Sequence, residues 1–107
     1  MINVFIVDDH PAIVDAIKSY LKYDAEITVV GEANNGEDAI SSSELKEVDV
    51  LLLDYSMPGI DGLQVCEYIE ETYPEIKTIV ITSYKDAPLI KKFIDINKNN
   101  NSNLAIL

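Results

Sequence analysis

Hydrophobic and polar positions follow two alternating rhythms along this chain. Short apolar runs rich in β-branched residues read as strands: "NVFIVDD" at 3–9, "EITVVGEA" at 26–33, "VDVLLLDY" at 48–55 and "KTIVITS" at 77–83. Between them the apolar positions recur at three and four residues, the period of a helix. Within "HPAIVDAIKSYLK", with Pro11 suited to a first helical turn, Ile13, Ile17, Tyr20 and Leu21 form one stripe and Asp15, Lys18 and Lys22 point outward. "NNGEDAI" is a turn leading into a second helix, whose apolar face is diluted by the serines at 41–43. Leu63, Cys66, Ile69 and Tyr73 mark a third, ended by Pro74. Pro88 opens a fourth, with Leu89, Ile90, Phe93 and Ile94 as its stripe. There is no internal repeat, and the one biased segment is "NKNNNSN", Asn97 to Asn103.

Strands and helices alternating at these lengths predict right-handed crossovers and an α/β fold with a parallel sheet. Strands covered on both faces are apolar throughout, as Leu51, Leu52 and Leu53 are. Such sheets bind ligands at the carboxyl ends of their strands, beside the switch point. The first strand ends in Asp8 and Asp9, the third in Asp54. If these strands are neighbours, the three carboxylates meet, repel one another by several kcal/mol in total, and persist together only if a cation or protons offset the repulsion. An aspartate at a strand end also caps the following helix; that accounts for any one of the acids, and poorly for all three. All-oxygen ligation with few protein donors suits Mg²⁺. A carboxylate beside Mg²⁺ can attack phosphorus to give an acyl phosphate, and a hydroxyl at Thr82 or Ser83 could donate to a phosphoryl oxygen.

Composition narrows this picture. The length of 107 residues suits one domain with one core, and 48% hydrophobic with 25% charged residues is ordinary for a globular chain. A formal net charge of −11 repels phosphate backbones, so direct nucleic-acid binding by this chain is not expected. The lone Cys66 falls in an apolar helical register, a packed side chain rather than a nucleophile. "MINVFIVDD" lacks a basic leader, and its apolar run is too short for a bilayer, so the expected location is cytoplasmic. His10, between the acids and Pro11, reads as a helix-start residue.

Together "IVDDHP", "VVGEANNGEDAI", "DVLLLDYSMPGIDG" and "IVITSY" resemble the receiver domain of bacterial two-component response regulators, of the NarL/LuxR type, over residues 2 to about 96. The resemblance implies a flavodoxin-like, doubly wound sheet of strand order 2-1-3-4-5. It makes Asp54 the phosphoacceptor, Asp9 a direct Mg²⁺ ligand, Asp8 a ligand acting largely through water, and the backbone carbonyl of Ser56 the third protein ligand. Thr82 matches the switch hydroxyl. A sensor histidine kinase would donate the phosphoryl group; the domain would assist its own phosphorylation and dephosphorylation without being an enzyme otherwise.

The pattern departs from the family at its C-terminal end. The family's lysine at the end of a fifth strand falls near Leu104, where the chain reads "NSNLAIL". Lys98 is the nearest lysine, but "DINKNNN" reads as a helix end rather than a strand. No Tyr or Phe follows Phe93. The expectation is therefore a single receiver domain over 1–107, with its fifth strand and fifth helix missing or altered and without a DNA-binding effector domain. Each apolar side chain left wet by a missing helix forfeits about 1.5–3 kcal/mol, which predicts a homodimer or a segment-swapped dimer covering the bare sheet face. Two other functions compete: an interaction module that switches weakly for want of the lysine, and, more remotely, a haloacid-dehalogenase-type phosphatase. The latter wants a second Asp two residues after the nucleophile, where this chain has Ser56.

Overall fold

The computed structural model describes residues 1–54, 62–81 and the backbone of 104–106. In chain order, β1 (Ile2–Val7), α1 (Pro11–Leu21), β2 (Ile27–Ala33), α2 (Gly36–Ile40), a 3-10 turn (Ser43–Glu47), β3 (Val50–Asp54), α3 (Gly62–Thr72), β4 (Lys77–Ile81) and β5 (Leu104–Ile106) follow one another. The five strands form one sheet in the order β2-β1-β3-β4-β5, and every pairing is parallel. This is the expected doubly wound architecture. The altered fifth strand is three residues long, pairing Leu104 with Thr78 and Ile106 with Val80. The fourth helical pattern, 88–94, lies outside the described residues.

Alternation along the strands sorts the core into two layers. Phe5, Val7, Leu51, Leu53 and Val80 point to the face packed by α3 through Val65, Cys66 and Ile69. Val4, Ile6, Val50, Leu52, Ile79 and Ile81 point to the face packed by α1 through Val14, Ile17 and Leu21. The buried stripe of α1 thus contains Val14 where Tyr20 was expected, and Tyr20 is 39% exposed. At 3.6 residues per turn Val14, Ile17 and Leu21 share one line, and Tyr20 stands about a quarter turn from it.

The bare sheet face does not appear among the described residues. Val50, Leu52, Ile79 and Ile81 are each at most 2% exposed within the single chain. These four positions are thus buried without a second copy, while the side chains of β5 lie outside the described residues.

The second helix stops early. Asn35 caps α2 by accepting a hydrogen bond from the Asp38 amide at 2.7 Å, but the serines end it. The Ser41 hydroxyl bonds back to the Glu37 carbonyl at 2.9 Å, and Ser42 accepts from the Glu44 amide to start the 3-10 turn. Short hydroxylated side chains compete with the helix for its own backbone groups.

Candidate functional site

Register brings the acids together. Val7 of β1 pairs with Leu53 of β3, so the next residues, Asp8 and Asp54, stand side by side at the sheet's carboxyl edge. One further ladder bond, from the Asp8 amide to the Ala33 carbonyl at 3.0 Å, holds Asp8 in line with β1. Asp54 pairs with Ile81, so β4 ends beside it.

Asp8 and Asp54 are each 2% exposed, and the Asp9 side chain is 28% exposed. One ligand atom from each of Asp8, Asp9, His10 and Asp54 lies within 4.8 Å of the others. Ser56, Thr82, Ser83 and Lys98 lie outside the described residues.

His10 is the member that reading the sequence missed. Pro11 begins α1 and disfavours helical backbone in the residue before it; His10 accordingly sits extended, at φ −108 and ψ 101, as the N-cap, with no side-chain capping bond. Its imidazole is thereby left to the acids. Nδ1 lies 2.9 Å from Asp8 Oδ1, 2.9 Å from Asp9 Oδ1 and 3.6 Å from Asp54 Oδ2, while the His10 amide also donates to Asp8 Oδ1 at 2.8 Å. An ionised carboxylate only accepts, so wherever Asp8 is ionised the proton of this bond sits on Nδ1. The signal was present in the dipeptide His10-Pro11, which fixes where the ring starts, though not where it points.

The electrostatics follow from this packing. Burial pushes the Asp8 carboxyl above its ordinary value, against the two His10 hydrogen bonds that lower it, and the Asp54 charge adds to the rise. The hydrogen bond to Asp8 holds the His10 imidazole above its own ordinary value, with the charges of Asp9, Asp8 and Asp54 behind it. Asp8 Oδ2 is buried with no hydrogen-bond partner. A buried carboxylate oxygen without a donor is costly, and a hard divalent cation among these oxygens would satisfy it. The donor set fits Mg²⁺.

A five-stranded parallel sheet whose first and third strands deliver acids to one edge defines a class, and comparison gives that class its name. The chain belongs to the response regulator receiver domain family, whose pattern matches residues 4–100. Response regulator UvrY of Escherichia coli (strain K12) is 42% identical over 92 residues, which cover 86% of this chain and 42% of UvrY. The chain spans less than half the length of the curated relatives it matches. The isolated receiver domain of RcsB from Salmonella enterica serovar Typhimurium, solved with the phosphomimetic BeF3-, superposes with a TM-score of 0.67 at 32% identity, covering 90% of this chain and 72% of that one. Another structure holds two RcsB dimers on two parallel DNAs, at TM-score 0.71 and 34% identity, covering 77% of this chain and 43% of that one. The receiver domain of the putative response regulator NarL from Mycobacterium tuberculosis reaches a TM-score of 0.76 over 92% of this chain and 98% of that one; at 24% identity it bears on the fold alone.

Proposed function

We propose that this receiver domain accepts a phosphoryl group on Asp54 from a sensor histidine kinase in the cytoplasm, with Mg²⁺ held by Asp8, Asp9, Asp54 and the Ser56 carbonyl. The observation that carries the reading is the convergence of Asp8, Asp9 and Asp54 on one pocket, with a buried Asp8 oxygen left without a donor. In the transfer an Asp54 oxygen forms a bond to phosphorus as the phosphorus–nitrogen bond of the donor breaks. The donor nitrogen keeps the electron pair and takes a proton. Bound Mg²⁺ supplies positive charge to the phosphoryl oxygens. Thr82, with Ser83 beside it in sequence, is the proposed hydroxyl contact that reads the new group.

The test is incubation with Mg²⁺ and acetyl phosphate, followed by intact-mass measurement. One phosphoryl group should be gained, and none by Asp54→Asn. Unmodified wild-type protein that still binds Mg²⁺ would favour the second reading, an interaction module with little phosphorylation. That reading draws support from β5, where Leu104, Ala105 and Ile106 offer no lysine.

Association with a second copy belongs to the same proposal, supported by the RcsB dimers. Since Val50, Leu52, Ile79 and Ile81 are already buried within one chain, it would use a surface other than the one they form. Sedimentation of a monomer at micromolar concentration, with and without phosphorylation, would remove this part of the reading.

A further inference from the structure

We propose that His10 is a nitrogen ligand of the acidic pocket, which makes that pocket a site for borderline transition ions such as Ni²⁺ as well as for Mg²⁺. The inference rests on the metal pocket of the reading above and adds a donor to it.

Three observations carry it. First, spacing: adjacent ligands about 2.1 Å from one ion stand roughly 3.0 Å apart in an octahedral shell. His10 Nδ1 is 2.9 Å from an oxygen of Asp8 and 2.9 Å from an oxygen of Asp9; without metal this is a hydrogen bond, and an entering cation that displaces the Nδ1 proton to water would find the nitrogen already at the edge length of such a shell. Second, the imidazole is not the cap of the helix it precedes. The N-cap makes no side-chain capping bond, and the start of α1 is set by Pro11 and by the His10 carbonyl, which accepts from the Ile13 and Val14 amides. Third, the ring does not satisfy the pocket. With His10 bonded to Asp8 Oδ1, Asp8 Oδ2 is still buried without a partner, in a side chain 1% exposed. One imidazole cannot answer all of these oxygens, and a cation among them can.

The choice of ion follows from donor chemistry. Mg²⁺ prefers oxygen and holds its waters, and gains little from imidazole. Ni²⁺ and Zn²⁺ bind imidazole well and stand high in the affinity order for a mixed nitrogen and oxygen site. Replacing His10 should therefore separate the two kinds of ion.

The experiment is calorimetric titration of the wild-type protein and of His10→Gln with Mg²⁺ and with Ni²⁺ at fixed pH, joined to electron spin echo spectra of the Mn²⁺-loaded proteins. Ligation by His10 predicts that the variant loses roughly tenfold or more in Ni²⁺ affinity, keeps its Mg²⁺ affinity, and loses a directly bonded nitrogen modulation seen in the wild type. Equal losses for both ions would mean that His10 only positions Asp8, and would overturn the proposal. So would unchanged Ni²⁺ binding or a wild-type spectrum without nitrogen. Helical circular dichroism of His10→Gln matching the wild type keeps misfolding from imitating either result. If Ni²⁺ binding depends on His10 but acetyl phosphate never modifies Asp54, the ligand assignment stands and the phosphoacceptor reading fails instead.

Discussion

Lys77 at the start of β4 has a buried ammonium with no hydrogen-bond partner, on a rim it shares with Asp49 and Glu75. An ammonium shielded from water without a hydrogen bond among the described residues opposes folding, so Lys77→Met should stabilise the domain by about 1 kcal/mol, read as a higher urea midpoint. Asp8 carries a comparable penalty at the other end of the sheet. Its carboxyl is raised by burial, so the folded state holds a proton that the unfolded chain gives up near 3.8. The stability Asp8 contributes is thus present below that value and lost as pH rises through the higher folded one. Metal-free Asp8→Asn should melt above the wild type at neutral pH, and the gap should narrow in acid. Added Mg²⁺ should stabilise the wild type more than the variant. Cys66 shows the same sign: burial, with Glu70 and Glu67 nearby, pushes its thiol from 9.0 up to about 11. Alkylation of the folded protein at mildly alkaline pH should therefore be slow, and urea should speed it. The three acids were legible in the sequence because each ends an apolar run. The His10 ring was not, since its direction depends on a backbone turn and on acids that the fold brings together.

Elements were legible where one rhythm persists and opaque where backbone geometry decides. β3 and β4 came directly from their unbroken apolar runs. The bulge in β2 did not: between Val4 and Phe5 of β1 the register skips a residue, so Phe5 pairs with Gly31. A methyl group added at Gly31 would sit 2.8 Å from Phe5 Cε2, and that ring is 1% exposed with no room to retreat. Gly31→Ala should cost about 1–3 kcal/mol, visible as a lower melting temperature with the secondary structure retained. α2 was legible as a start signal at Asn35, and its early end came from hydroxyls whose bonding partners are set locally. Asn35→Ala should cost about 1 kcal/mol, measurable by denaturant titration.

At the scale of the whole molecule, stability rests on β3, whose two faces feed both core layers. Leu52 is fully buried in that strand, and Leu52→Ala should lose about 2–5 kcal/mol, a large part of the ~5–15 kcal/mol a domain holds. The alternating elements made the parallel sheet readable, and the strand order came from the family resemblance of the motifs. The sequence did not show that Val50, Leu52, Ile79 and Ile81 would be buried within one chain, because burial depends on how separate segments meet. The acidic edge has a layered exposure: Asp54 and Asp8 deep, Asp9 shallower, and His10 half exposed at the mouth. His10 is also the chain's one histidine. A single imidazole signal in a proton spectrum would thus watch the doorway, shifting when an ion or phosphoryl group enters and staying still when anything lands elsewhere.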